Sequence, residues 1–194
     1  MLKIIHRINR SSDLAGIPKE YGVELDVRND GSKLVLNHEP YGGGELFDDY
    51  CKKFSHAFMV ANVKTEGIED DVLRILERHG IVNFFLLDLT FPSIIRLSSS
   101  GEKRIAVRFS EHEPIESALA MKGRANWAWV DTFSTLPLDK KSHALLKGAG
   151  FSTCLVCPER WGRPRDIATY RAYLEKNNIM PDAVMTASKY AKEW

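Results

Sequence analysis

Glu24 and Asp26 stand two apart in the run Gly22 to Pro40, GVELDVRNDGSKLVLNHEP. On a β-strand that spacing sends both carboxylates out of one face, while Val23, Leu25 and Val27 leave from the other. Asn29, Asp30 and Gly31 supply a turn, and Leu34 to Leu36 then leads to His38 at the end of a second arm. His6 ends the apolar run that begins at Leu2. Carboxylates and histidines are thus delivered to one small volume. The acids form a hard, oxygen-rich site, suited to Mg or Ca and poor for Zn, which prefers imidazole or thiolate. Histidines beside them can exchange protons with a nucleophile and a leaving group. A lone Glu-x-Asp on a strand is more often a solvated face, but two nearby histidines favour a metal site.

The rest of the chain must hold these groups in place. From Leu2 onward, short apolar runs with strand character alternate with helically spaced segments. Strands are expected at Leu2 to His6, in the two arms of the hairpin, and at Phe58 to Lys64, Val82 to Leu89, Arg104 to Ser110, Trp127 to Phe133, Thr153 to Cys157 and Ala183 to Thr186. Helices are expected at Glu45 to Phe54, Ile68 to Arg78, Pro92 to Leu97, Ile115 to Met121, Asp139 to Lys147, Asp166 to Lys176 and Ser188 to Trp194, with only a helical turn between Ile8 and Glu20. About eight strand-helix units predict an α/β fold, a compact (β/α)8 TIM barrel. The alternative, an open doubly wound sheet, would show a Gly-rich fingerprint after its first strand, and none is present. Polar residues also recur at most strand ends, as His6, Glu24 with Asp26, Asn62 with Lys64, Asp88, Arg108, Asp131 and Glu159. A closed barrel gathers such ends around one pocket.

With 194 residues, 44% hydrophobic and 27% charged, the chain is expected to form one domain over residues 1–194. A formal charge of +1 with dispersed Lys and Arg argues against a nucleic-acid partner. Three cysteines are too few for a disulfide framework and point to a reducing, cytoplasmic setting. Cys154 and Cys157 have redox-motif spacing but fall in a strand-like run, so two buried thiols are the better reading. The first ten residues lack the apolar stretch of a signal peptide, and no window has the character of a membrane span.

His6-Arg7, Glu24-x-Asp26, Asp30-Gly31 and His38, taken together, resemble the glycerophosphodiester phosphodiesterase family, within the wider phosphatidylinositol-phospholipase-C-like superfamily, and its relatives among phospholipase-D-type spider toxins. The likeness is strongest over residues 1–40 and continues through Asn62-Val63-Lys64, Cys157-Pro158-Glu159 and Ala183-Val184-Met185-Thr186. It implies a barrel in which His6 and His38 serve as acid and base and carboxylates hold one Mg or Ca ion. Ile8 stands where the family has Gly, Asn62 stands at the third carboxylate position, and the insertion usual after the second histidine is missing. The resemblance therefore implies a chemistry more than a substrate.

Two carboxylates with the amide oxygen of Asn62 would leave coordination positions for water and phosphate oxygens, and Arg7 and Lys64 could neutralise the remaining phosphate charge. Asp88, Arg108, Trp129, Asp131 and Glu159 are further pocket candidates, with Asp88 and Arg108 equally suited to a structural ion pair. Trp127 and Trp129 share a strand face, as pocket wall or core. His112 follows a strand end and is a weaker candidate, while His56, His79 and His143 are expected to face solvent. The expected activity is metal-dependent cleavage of a glycerol-, sugar- or alcohol-phosphodiester, a small-molecule substrate. The alternatives are cyclisation of the diester by an internal hydroxyl and a silent barrel that binds a phosphorylated ligand.

Overall fold

The computed structural model describes residues 1–194. Its strands are β1 (Leu2–Ile5), β2 (Gly22–Asp30), β3 (Lys33–Leu36), β4 (Glu45–Leu46), β5 (Phe58–Val63), β6 (Phe84–Leu87), β7 (Ala106–Phe109), β8 (Trp127–Val130), β9 (Ser152–Val156) and β10 (Ala183–Thr186). Its α-helices are α1 (Phe47–Lys53), α2 (Glu69–Arg78), α3 (Phe91–Ser99), α4 (Ile115–Leu119), α5 (Lys140–Gly148) and α6 (Asp166–Lys176).

Eight parallel strands run in the order β1, β2, β5, β6, then β7, β8, β9, β10 and back to β1. Between β6 and β7 the ring is joined by one parallel bridge, Leu86 with Ile105, in which the Leu86 N–H donates to the Arg104 carbonyl at 2.8 Å. The result is the expected eight-stranded barrel. The antiparallel β3 and β4 extend β2 beyond its rim. This hairpin exists because β2 is longer than its barrel neighbours; Asn29 and Asp30, expected in the turn, pair with Leu34 and Lys33, and Gly31 with Ser32 turns the chain back, Gly31 at φ 58°.

Alternation along each strand builds two apolar layers. Ile4, Val60, Phe85, Leu87, Trp129, Val156 and Met185 fill the barrel interior, and Val23, Leu25, Val27, Met59 and Leu155 point out against the helices. Gly22 is a glycine for a steric reason: a Cβ there would come within 3.1 Å of both Ile4 Cγ1 and Phe58 Cβ. Helix starts follow local chemistry as well. Asp139 caps α5 by accepting the Ser142 N–H at 2.7 Å, and the Ser142 hydroxyl accepts the Asp139 N–H in return.

Three expectations change. Glu45 and Leu46 pair with β3 instead of opening a helix, so α1 begins at Phe47. The closing segment Ser188–Glu193 is a 3-10 helix, not an α-helix. Val82 lies outside β6 and is exposed. Cys51, Cys154 and Cys157 are free and buried; Cys154 faces the barrel interior and Cys157 the outer layer, because three residues along a strand reverse the face. No helix is long and apolar enough to cross a membrane.

Candidate active site

The interior-facing residues of β1 and β2 become polar at the top of the barrel, and so do their neighbours. A cavity of about 330 Å³ opens there, lined by His6, Arg7, Glu24, Asp26, His38 and Asn62 among others. Lys64, Arg108, Trp129, Asp131, Arg160 and Trp161 complete most of its wall.

Glu24 and Asp26 are each 1% exposed, a burial that ionised acids accept only when partnered. Parallel register sets Asp26 beside Asn62, whose side-chain N–H₂ donates to Glu24 Oε1 at 3.0 Å. The other Glu24 oxygen accepts the Arg7 backbone N–H at 2.8 Å. Arg7 holds φ at 57°, a left-handed conformation unusual for a residue with a side chain, and in it the N–H meets the carboxylate. Asn9 reads Asp26 twice, donating from its amide to Oδ2 at 2.9 Å and accepting the Asp26 N–H at 2.8 Å. Burial, followed by repulsion from Asp26, pushes Glu24 up to about 7.

In the cavity wall two buried oxygens remain without a hydrogen-bond partner, Asp26 Oδ1 and Asn62 Oδ1, beside Glu24. Unsatisfied buried acceptors beside a repelling carboxylate pair form a donor set that suits a hard divalent cation. The set is lean. No three residues among His, Cys, Asp and Glu are grouped as a metal site, and the amide of Asn62 takes the place of a third acid.

His6 lies with Nε2 3.7 Å from Glu24 Oε2. Burial, then the positive charges of Arg160 and Arg7, hold the imidazole down at about 3, so His6 is neutral and this contact is polar instead of ionic. His38 sits at the end of the hairpin arm, 38% exposed in its side chain, with Nδ1 2.6 Å from Glu39 Oε1. Its position depends on Arg28, which donates to the His38 carbonyl at 3.1 and 2.8 Å and to the Lys64 carbonyl at 3.3 Å.

A chain of charges rings the other side. Lys64 Nζ stands 3.0 Å from Asp88 Oδ2 and 3.6 Å from Asp26 Oδ1. Arg108 clasps Asp88 Oδ1 at 2.6 and 2.9 Å and Asp131 Oδ2 at 2.8 Å, and Trp161 Nε1 donates to Asp131 Oδ1 at 2.8 Å. Burial opposes ionisation of Asp88, but Arg108 and Lys64 hold it below the usual carboxylate range.

Of the residues singled out in the sequence, the cavity gathers His6, His38, Arg7, Lys64, Glu24, Asp26, Asn62, Arg108, Trp129 and Asp131. Asp88 and Glu159 stand outside its wall. Asp88 is committed to Lys64 and Arg108, and Glu159 turns to accept the Ala187 N–H at 2.7 Å and the Thr186 hydroxyl at 3.2 Å. Trp127 packs below the site against Phe58 and Phe85. His112 borders a separate cavity with Phe91 and Glu113. His56, His79 and His143 are half-buried instead of solvent-facing; His79 Nε2 meets Asp48 Oδ1 at 2.9 Å and His56 Nε2 the Ile17 carbonyl at 3.1 Å. Sequence reasoning passed over Asn9, Arg28, Arg160 and Trp161. Asn9 follows His6-Arg7 closely enough to reach the same acids, but nothing local marked the other three.

No family model matches the chain, and no curated protein matches its sequence. Among solved structures it is similar to a glycerophosphodiester phosphodiesterase from Agrobacterium tumefaciens, at a TM-score of 0.67 and 15% identity, over 95% of this chain and 96% of that one. A second protein of that organism, named for glycerophosphoryl diester phosphodiesterase activity, gives 0.71 at 13% identity over 99% and 96%. A glycerophosphoryl diester phosphodiesterase from Parabacteroides distasonis gives 0.64 at 10% identity over 99% and 85%. The fold of this chain is that of the glycerophosphodiester phosphodiesterases of known structure.

Proposed function

We propose that the chain is a metal-dependent phosphodiesterase that cleaves a glycerol-, sugar- or alcohol-phosphodiester. The observation that carries this reading is the meeting of buried acceptors on Asp26 and Asn62 that lack a hydrogen-bond partner with Glu24, at the mouth of one cavity that also holds two histidines. The likeness in fold to named phosphodiesterases supports it, although a barrel by itself serves many chemistries.

Glu24, Asp26 and Asn62 would hold one Mg or Ca ion, which offsets the carboxylate charge and draws electron density from the phosphodiester. His6, half-buried in the cavity wall, takes a proton from the attacking oxygen. His38, oriented through Nδ1 by Glu39, keeps Nε2 for the leaving alkoxide and returns a proton to it. Arg7 and Lys64 face the same cavity and neutralise phosphate oxygens. The attacking oxygen belongs to water in hydrolysis and to the substrate's own hydroxyl in cyclisation, and the same histidines serve either. The three free thiols suit the reducing cytoplasm expected from the sequence.

The test is turnover of bis-p-nitrophenyl phosphate and of glycerophosphodiesters with and without chelator, with products followed by ³¹P resonance. Metal-dependent release of alcohol is expected, and a cyclic phosphate would identify cyclisation. Binding without turnover under any divalent cation would instead establish a silent barrel.

A further inference from the structure

Arg7, Lys64 and Arg108 each have a carboxylate within ion-pair distance, whereas Arg160, in the same cavity wall, has none. A half-buried guanidinium without an acid is a charge held for something that arrives. Its placement is deliberate in the fold. Arg160 lies on the 3-10 turn Pro158–Trp161, which follows β9, and Glu159 fixes that turn through the Ala187 N–H and the Thr186 hydroxyl. Gly162, with φ at 74°, ends it, and the next side chain, Trp161, is anchored on Asp131.

Ring order gives the distance its meaning. Counting around the barrel, β9 lies four strands from β5, the position diametrically opposite, and Lys64 follows β5. The carboxylates and Lys64 therefore occupy one side of the mouth and Arg160 the other. His6 follows β1, between the strand of the acids and the side of Arg160. A phosphodiester brings one negative charge, which the metal side answers with Arg7 and Lys64. Beyond Arg160, Trp161 packs on Phe133 with ring centroids 4.4 Å apart, forming a wall that an alcohol group can lie along.

We propose that Arg160 is a specificity-determining residue that selects diesters in which one alcohol carries its own anionic group, a carboxylate or a phosphate. The inference rests on the phosphodiesterase reading and adds to it a substrate class of at least two negative charges. Recognition is by charge-assisted hydrogen bonds from the guanidinium, on the side of the cavity away from Glu24 and Asp26.

The experiment compares kcat/KM for the propyl, 2-carboxyethyl and 2-phosphonoethyl esters of p-nitrophenyl phosphate in wild type, Arg160→Met and Arg160→Lys. Wild type is expected to favour at least one anionic ester over the propyl ester by about tenfold or more. Arg160→Met should bring that ratio close to one, and Arg160→Lys should retain part of it. The anionic ester with the larger ratio identifies the group. No preference in wild type, or an equal loss on all three esters in Arg160→Met, would overturn the proposal, the second by assigning Arg160 to the scissile phosphate. If no ester is turned over, the phosphodiesterase reading fails, and calorimetry then decides on Arg160 alone. Tighter binding of 3-phosphonopropionate than of propylphosphonate in wild type, lost in Arg160→Met, supports it, and equal binding overturns it.

Discussion

Asn62 donates its side-chain N–H₂ to Glu24 Oε1 at 3.0 Å, so the amide braces one carboxylate while its own oxygen faces the cavity without a partner. This double role explains how an amide can stand among acids. It also sets a clear expectation for Asn62→Asp. The variant adds a charge to the donor set but removes the donor that Glu24 uses. Calorimetric titration should show Mg or Ca bound more tightly than in wild type, while the metal-free melting temperature falls. Unchanged or weaker metal affinity in the folded variant would place Asn62 outside the metal shell.

Glu24 governs a pH dependence of stability. Its pKa rises from about 4.5 to about 7 on folding, so between those values the folded state holds more protons than the unfolded state. The metal-free protein is therefore expected to lose stability as pH rises from about 4.5 to 7, with the penalty absent below that window and complete above it. Glu24→Gln should remove this slope and stabilise the metal-free protein at pH 8 by roughly 1–3 kcal/mol. Its new amide can donate to Asn62 Oδ1 after a flip of the Asn62 side chain. Denaturant melts at pH 4.5, 6 and 8 would show a slope surviving in Glu24→Gln if the assignment is mistaken. Activity of that variant should fall sharply.

His6 and His38 are expected to divide the proton transfers. Alanine at either position should lower kcat by about 10²- to 10⁴-fold with little change in melting temperature. Because His6 is neutral down to about pH 3, the acid limb of the kcat/KM profile in wild type cannot belong to it. That limb should follow Glu24 and move when metal concentration is raised. A limb that disappears only in His6→Ala would refute the assignment.

Arg28 touches no candidate reacting group, yet it binds the backbone carbonyls of both His38 and Lys64. Arg28→Met should lower kcat about tenfold by loosening both, and Arg28→Lys should recover only part, since one ammonium cannot span the two carbonyls as the planar guanidinium does. Metal affinity measured by calorimetry should stay near wild type. A loss of metal binding in place of kcat would show that Arg28 supports the acids instead.

The barrel was legible because its code is periodic: two-residue alternation in Val23 to Val27 and in Trp127 to Val130 marks strands, and helical spacing marks what lies between them. The acids and histidines were legible for the same reason, since a polar residue where an apolar run stops must face the pocket of a closed ring. What stayed hidden depends on contacts distant in sequence. Arg28 is one more charge on a hairpin until β2 places it beside the carbonyls of His38 and Lys64. Glu159 stands beyond a strand end as Asp131 does, but it lies on the 3-10 turn after β9, where the Ala187 N–H claims one of its oxygens. His79 looks solvent-facing on its helix until Asp48 of α1 packs beside it. Burial of this kind is decided between elements, where local pattern carries no signal.

The single bridge between Leu86 and Ile105 makes the ring mechanically unequal. Elsewhere adjacent strands share longer ladders, but at this line β6 and β7 are held by that bridge, by Arg108 on Asp88, and by the Arg104 guanidinium 4.1 Å from the Phe84 ring centroid. Amide protons flanking it should exchange with solvent ahead of those of β2 and β5, and partial unfolding should begin there as an opening of the barrel into one curled sheet with β6 and β7 at its edges. The acids and Lys64 would then lie toward the β6 edge of that sheet, and Arg108, Asp131 and Arg160 toward its β7 edge.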